Sequence, residues 1–181
     1  MCFRLPICLS GAALGIPGER SNLPLLSGHD NAIHQMSTRQ IHVFISHAWK
    51  YSRHYEKLAE WIFEESWSVG QARLDFRDFS VPKSDPIHNA PNDTALKNEI
   101  YKQIAMSHVV VIPSGMYASY SKWIRKEIDG AKAYQKPILA VNPWGQERKP
   151  GIVMDNSDIA VGWNKEPVIE GIWKLYAQGG S

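Results

Sequence analysis

The sequence predicts an α/β fold, a three-layer sandwich with helices on both faces of a central, mostly parallel sheet of five strands. Short apolar runs alternate along the chain with amphipathic helical patterns, as expected of strands joined by crossover helices. One run, residues 108–114, is almost entirely apolar, which is typical of a central strand covered on both faces. The 181 residues are enough to bury a core, and this length favours one domain with extra material at an end.

Five segments have the pattern of a β-strand. In chain order they cover residues 41–46, 72–79, 108–114, 136–144 and 158–163. The first and third are apolar runs, and the second alternates apolar side chains such as Leu74 and Phe76 with charged ones. The last two, KPILAVNPW and DIAVGW, complete the predicted sheet.

Four segments between or after these strands carry apolar side chains at helical spacing. They cover residues 53–67, 92–107, 121–134 and 166–178. Ser52 is placed to cap the first helix, and Asp93 or Thr94 the second. Five strands joined by such crossovers predict a flavodoxin-like sandwich, in which ligands bind outside the carboxyl ends of the strands, where the strand order reverses. The loops that leave the first three strands should therefore crowd one edge of the sheet.

One acidic side chain, Glu127, lies where the helix after the third strand should be apolar. Ile124, Ile128 and Ala131 form an apolar stripe along this helix, and Glu127 points toward the stripe rather than toward the charged face. The pattern allows two interpretations. The carboxylate has a chemical role, or it forms a structural ion pair with a basic residue on a neighbouring element, such as Arg77.

Three motifs carry a resemblance to a known family. They are HVFISHAWKYS at residues 42–52, FRDFSVP at 76–82 and SKWIRKEI at 121–128. The first is similar to the first strand and following loop of TIR domains, and the second to the motif in which an Arg-Asp pair precedes a proline. The third has the family spacing of a serine, a tryptophan and, four residues later, the catalytic glutamate. Over residues 41–178 the sequence resembles the TIR-domain superfamily, most closely its prokaryotic TIR-like branch in Thoeris anti-phage defence.

The resemblance implies an enzyme with Glu127 as the catalytic residue. Catalytic members of the family cleave NAD at the bond between nicotinamide and ribose, as glycohydrolases or ADP-ribosyl cyclases. The defence members release a cyclic or otherwise modified ADP-ribose. NAD is then a substrate, and no resident cofactor is expected. The family also implies a homo-oligomer, an infection trigger such as a viral protein, and a separate effector reached through the nucleotide product.

Seven further residues are predicted to bind the substrate: Ser46, His47, Trp49, Tyr51, Arg77, Asp78 and Trp123. The serine and histidine end the first strand, where backbone amides and small side chains meet a phosphate or ribose; a simple turn would also place them there. The aromatic rings suit stacking on adenine or nicotinamide, or burial in a core or interface. The Arg-Asp pair is suited to steering pyrophosphate, to an inter-subunit contact, or to an ordinary solvated loop.

Composition narrows the possible partners. A formal net charge of +2 gives no case for nucleic acid or an anionic membrane, and no apolar run approaches the roughly 20 residues that cross a bilayer. Cys2 and Cys8 are the only cysteines, which fits a reducing cytoplasm. The seven histidines lack the paired spacing of a zinc site, so no metal is expected, and no Walker-type loop or GxGxxG fingerprint is present.

Two other functions fit parts of the sequence. A non-catalytic TIR-like module would assemble through its helix surfaces and the loop over residues 77–88, and would have no need of Glu127. In animal adaptors a glycine often follows the proline of the second motif, where this chain has Lys83. A flavodoxin-like cofactor binder is the third interpretation, and a yellow purified protein would support it.

Residues 1–38 are predicted to be a disordered extension, and residues 39–181 the TIR-like domain. The first segment is rich in Gly, Pro, Ser and Asn and lacks periodicity. Met36 stands just before the first strand, so a start site assigned too far upstream would produce the same pattern.

A chain that begins at Met36 is expected to fold as the full chain does, because the predicted core starts after this residue. Circular dichroism and thermal melting of the two chains measure this directly. Loss of the cooperative transition in the shorter chain would show that residues 1–35 belong to the fold.

Overall fold

The alternation of apolar runs and amphipathic segments produces a six-stranded sheet with helices on both faces. In this computed structural model the described residues are 37–46, 52–81, 93–114, 121–142 and 151–179. They fall within one unit, Gln35–Ser181. The division of the chain at residues 38 and 39 stays a prediction, since residues 1–36 lie outside the described part.

The described strands are β1 Ser37–Ile45, β2 Trp67–Val69, β3 Ala72–Asp78, β4 Val109–Pro113, β5 Ile138–Asn142 and β6 Ile159–Gly162. Their order in the sheet is β2-β3-β1-β4-β5-β6. Only β2 is antiparallel to its neighbour, and the other four pairings are parallel. The predicted α/β sandwich with a mostly parallel sheet is therefore confirmed.

The described helices are α1 Ser52–Ala59, α2 Asp93–Met106, α3 Ser121–Ala133, α4 Gly151–Met154 and α5 Lys165–Gly179. Helix α1 continues into a π-helical segment, Glu60–Glu64. The short helix α4 lies in a segment without a helical pattern, because a single turn is too short to show periodicity.

The predicted number of five strands was wrong, since β2 adds a sixth among the described residues. Residues 65–67 were assigned to the first helix, but the helical segment ends at Glu64 and Trp67 starts β2. A turn at Gly70, which has a φ of 57°, returns the chain into β3. Three residues are too few to display alternation, so only pairing with β3 identifies this strand. The Trp67 indole also donates to the carbonyl of Trp61 at 2.7 Å and holds the hairpin to the π-helical segment.

The side chains of the parallel strands alternate between two separate apolar clusters. On one face, Val43, Val111 and Leu139 pack with α1, the π-helical segment and α5. On the other face, alternate residues of the same strands pack with α2, α3 and α4; they are Phe44, Val110, Ile112, Ile138 and Ala140. The strands β4 and β5 and the second half of β1 are therefore covered on both sides, which explains their nearly continuous apolar sequence.

Gly171 marks the tightest packing of α5 on the sheet. A methyl group at this position would lie 2.8 Å from Leu139 Cδ1 and 3.5 Å from Val161 Cγ1. Gly171→Ala is expected to destabilise the protein by about 1–3 kcal/mol because the surrounding core has no room for the added atom. Urea unfolding measures the change. Gly179→Ala is the matched control, since a methyl group there meets no atom within 4 Å; equal effects of the two changes would contradict this account.

Candidate functional site

The strand order places the predicted binding crevice between β1 and β4. From β1 the chain runs outward through β2 and β3 on one side, and then α2 returns it to β4 on the other side of β1. The order of the parallel strands reverses here, and in sheets of this kind the reversal is the place where ligands bind, outside the carboxyl ends of the strands. Ser46 directly follows β1, and Ser114 directly follows β4.

Helix α3 brings Glu127 to this edge. Ile124, Ile128 and Ala131 are buried against the sheet and fix the rotation of the helix. Glu127 lies one turn from two of these residues, so its carboxylate is carried to the covered side of the helix, where its exposure is only 6%. The sequence pattern predicts this orientation, because helical periodicity alone determines it.

Ser46 is the hydrogen-bond partner of Glu127. Because side chains alternate along a strand, Ser46 lies on the same face of the sheet as Phe44, which is the face covered by α3. Its hydroxyl donates to Glu127 Oε2, and both side chains are buried. The Ser46 amide also donates to the Val111 carbonyl at 2.8 Å, which ties the end of β1 to β4.

Burial raises the pKa of the Glu127 carboxyl from 4.5 to about 7, and the hydrogen bond from Ser46 opposes part of this rise. Desolvation disfavours the charged form, while a donated hydrogen bond favours it. The carboxyl therefore exchanges its proton near neutral pH, and its ionised form prevails only on the alkaline side.

Glu127 does not pair with Arg77, the basic residue named in the alternative interpretation. Arg77 is exposed at the carboxyl end of β3 and binds Asp75 through two nitrogens, at 2.8 and 3.1 Å. Within the described ranges, no basic side chain lies within ion-pair distance of Glu127. The described part of the chain therefore supplies this buried carboxylate with no neutralising cation, and such burial is costly for folding alone.

Asp78, the next predicted binding residue, has a structural partner on each side. Its carboxylate accepts from the Tyr55 hydroxyl at 2.7 Å and from the Ser80 amide at 2.8 Å. Burial, and then the nearby Asp78 carboxylate, raises the pKa of Tyr55 well above its ordinary value, so this hydroxyl stays a donor. Ser80 Oγ in turn accepts from the Ile45 amide at 2.9 Å. Asp78 thereby joins the ends of β3 and β1.

Trp123 lies one turn before Glu127 and is half-buried. It packs against the apolar cluster under α3. The Lys126 ammonium stands 4.0 Å from its ring centroid, and that of Lys122 stands 5.8 Å away. Both lysines also approach Asp93 at the start of α2. A cation already covers the indole, so a nicotinamide ring that stacks there would have to displace Lys126.

The remaining predicted binding residues, His47, Trp49 and Tyr51, lie outside the described residues. Sequence reasoning missed four side chains at this edge: Tyr55, Ser80, Ser114 and Asn142. A detectable signal for the last two was a polar residue directly after an apolar run on the covered face of a strand.

The described residues contain neither a metal-binding cluster nor a membrane-spanning helix. Three or more His, Cys, Asp or Glu side chains do not gather in a group that would hold a metal ion. None of the described helices is long and apolar enough to cross a membrane.

The raised pKa of Glu127 makes stability depend on pH. In the unfolded chain the carboxyl ionises near 4.5, and in the folded protein near 7. Below pH 4.5 it is neutral in both states and burial has no ionic cost. As the pH rises from 4.5 through 7 the unfolded state is increasingly favoured, and the shift corresponds to about 3 kcal/mol.

Glu127→Gln is expected to remove this dependence. The variant should match the natural chain at pH 4 and exceed its free energy of unfolding by up to about 3 kcal/mol at pH 8. Urea unfolding at pH 4, 6 and 8 provides the measurement. Glu170→Gln makes the same chemical change on the exposed side of α5 and serves as the control. A stability difference for Glu127→Gln that stays constant with pH would refute the assignment of an ionisable buried carboxyl.

Comparison with known proteins shows distant likenesses in structure. A CMP N-glycosidase from Clostridium botulinum, BcmB, has a TM-score of 0.42 and 15% identity, covering 72% of this chain and 97% of its own. A 2-deoxyribosyltransferase from Bacillus psychrosaccharolyticus has a TM-score of 0.44 and 9% identity, covering 70% and 89%. These likenesses are too distant to bear on activity. No curated protein sequence matches this chain significantly.

A family model does match. The model described as "Thoeris protein ThsB, TIR-like domain" covers residues 44–148, more than half of the chain. The matched segment runs from the end of β1 past β5 and includes Ser46, Ser114 and Glu127. The chain therefore belongs to the Thoeris ThsB family of TIR-like domain proteins.

Proposed function

We propose that this protein cleaves NAD at the bond between nicotinamide and ribose, with Glu127 as the catalytic carboxylate. The observation that carries the proposal is a buried glutamate that has no cationic partner among the described residues and is held by a serine at the carboxyl edge of the sheet. Membership of the ThsB family places the chain among TIR-like proteins, for which a function of this kind is the expectation.

The reaction suits a site with a single carboxylate. Cleavage expels neutral nicotinamide from a cationic pyridinium, so the leaving group needs no proton. Ordinary glycosidases need an acid and a second carboxylate, but here one group suffices. As the bond breaks, positive charge develops on the ribose carbon and ring oxygen. An ionised Glu127 stabilises that charge, or attacks the carbon to form a transient ester.

Burial makes the carboxylate effective. Opposite unit charges about 4 Å apart attract by on the order of 4 kcal/mol at an effective dielectric near 20, against about 1 kcal/mol in water. The Ser46 hydroxyl already donates a hydrogen bond to Glu127 Oε2. Among the described residues the second oxygen has no hydrogen-bond partner, which leaves it available to a substrate. The same burial that raises the pKa to about 7 thus prepares a carboxylate that gains a partner when the cationic sugar forms.

The finer parts of the proposal concern what happens to the product. Released ADP-ribose, cyclised or otherwise modified, would act as a signal on a separate effector in anti-phage defence. A homo-oligomer and an infection trigger belong to the same proposal. The competing function, a non-catalytic interaction module, gives no reason to bury an unneutralised carboxylate, because such a group weakens folding.

Glu127→Gln is expected to abolish NAD consumption in cells challenged with phage while the protein remains folded. The amide keeps the shape of the side chain but carries no charge to stabilise the cationic sugar, so a loss of at least about a hundredfold in rate is expected. NAD and its products are measured by mass spectrometry, with and without challenge. Glu170→Gln should behave as the natural chain does. Continued NAD loss in cells that carry Glu127→Gln would show that Glu127 has no part in the mechanism. Unchanged NAD in challenged cells that carry the natural chain would favour the interaction module.

A further inference from the structure

The polar edge of the site extends beyond Ser46. On the sheet face covered by α3, three adjacent strands each end in a polar side chain two residues after an apolar one: Ser46 after Phe44, Ser114 after Ile112, and Asn142 after Ala140. The pairing of Pro113 with Val141 puts Ser114 and Asn142 side by side in the next step of the register. This row of polar groups lies at the same edge as Glu127.

Ser114 and Asn142 are bonded to each other. Ser114 is fully buried, and its amide donates to the Val141 carbonyl at 2.8 Å. Its hydroxyl donates to Asn142 Oδ1 and also lies 3.4 Å from the Val141 carbonyl oxygen. A buried hydroxyl that contacts a partly exposed amide restricts the rotation of that amide.

This contact uses the oxygen of the Asn142 amide and not its nitrogen. Because Oδ1 accepts from Ser114, Nδ2 is directed away from it, and each amide nitrogen carries two hydrogens to donate. Among the described residues Nδ2 has no hydrogen-bond partner, and Asn142 is partly exposed. The structure therefore presents a fixed, neutral donor at the end of β5.

The position of this donor suits the sugar of the substrate. Helix α3 follows β4 and precedes β5 in the chain and packs on the face that these strands share, and on this face Glu127 meets Ser46. Ser46 and Asn142 stand two strands apart, which is about 10 Å at the usual strand spacing. A ribose that contacts Glu127 near Ser46 and accepts a hydrogen bond from Asn142 on its opposite side fits this span.

We propose that Asn142 donates a hydrogen bond to a hydroxyl group of the ribose at the scissile bond and thereby selects the sugar, while Ser114 acts as a positioning residue that holds the amide. This inference rests on the proposed NAD cleavage. An amide carries no charge, so its contribution is to recognition of the hydroxyl rather than to stabilising the cation. A site that hydrogen-bonds a substrate hydroxyl rejects analogues that lack it.

A double-mutant-type cycle, in which the residue at position 142 and the hydroxyl groups of the ligand are changed in turn, tests the proposal. The ligands are the unreactive carbocyclic analogue of NAD and its 2′-deoxy and 3′-deoxy forms on the nicotinamide side, with dissociation constants measured by calorimetry. Asn142→Ala should weaken binding of the parent analogue about tenfold and leave one deoxy form nearly unchanged, because the bonded hydroxyl is already absent. Asn142→Asp removes the donor hydrogens while keeping the shape, and should lose the same discrimination. Asn98→Ala, an identical change on the exposed side of α2, is the control.

Ser114 is tested by rescue. Ser114→Ala should reduce discrimination between the parent and the sensitive deoxy form, and Ser114→Thr, which keeps the hydroxyl, should restore it. If Ser114→Ala caused only a general loss of packing, the binding of all ligands would weaken to the same extent.

The outcomes separate the inference from the proposed function. Suppose that the natural chain binds the parent analogue, and that both Asn142 variants weaken the binding of all three ligands equally or leave the binding of all three unchanged. The role of Asn142 is then overturned while NAD cleavage stands. If the natural chain does not bind the parent analogue at all, the proposed function falls and the inference falls with it.

Discussion

The hydrogen bond between Ser46 and the buried carboxyl of Glu127 is the contact on which the candidate site depends. It joins the end of β1 to the middle of α3. It requires the Ser46 side chain to point to the face of the sheet that α3 covers. The described ranges bring no cation to this carboxylate, and the Ser46 donor offsets only part of the cost of removing it from water. The site therefore combines a modest stabilising interaction with a larger destabilising one, as is common where a group is kept for chemistry.

The topology of the sheet explains why the polar groups gather at this edge. Buried polar side chains among the described residues are Ser46, Ser80, Ser107, Ser114 and Glu127. All but Ser107 lie at or beyond the carboxyl ends of the strands, or on the helix that covers them. In β4, β5 and the second half of β1 the residues that lead up to these ends are mostly apolar and buried, so the polar groups of the candidate site stand at the border of a rigid core. A sheet buried on both faces holds its strand ends in fixed relative positions, which a site built from three different strands requires.

The network around Asp78 extends this edge across β3. Tyr55 on α1 and the Ser80 amide fix the Asp78 carboxylate, and Ser80 in turn bonds the Ile45 amide next to Ser46. The Arg-Asp pair of the second motif is thus divided in the structure. Asp78 supports the end of β1, while Arg77 is exposed and paired with Asp75. A structural role for Asp78 accounts for its contacts without a ligand, whereas Glu127 has Ser46 as its one hydrogen-bond partner within the described part of the chain.

The sequence by itself determined the α/β class, the parallel strands and the inward orientation of Glu127, because each depends on local periodicity. Spacing along a helix fixes which residues share a face, and a run of apolar residues implies burial on both sides of a strand. The motifs also led to the correct family. The antiparallel strand β2 and the single turn α4 escaped detection, since segments of three or four residues show no period.

Only the tertiary structure decided which partners these side chains meet. Ser46 and Glu127 are 81 residues apart, and Ser114 and Asn142 are 28 apart. The sequence left open whether Glu127 pairs with Arg77, and the fold resolved the question by placing Arg77 beside Asp75 at the surface. The physical reason is that hydrogen bonds and desolvation depend on distances across strands, which arise from sheet order and register rather than from spacing along the chain.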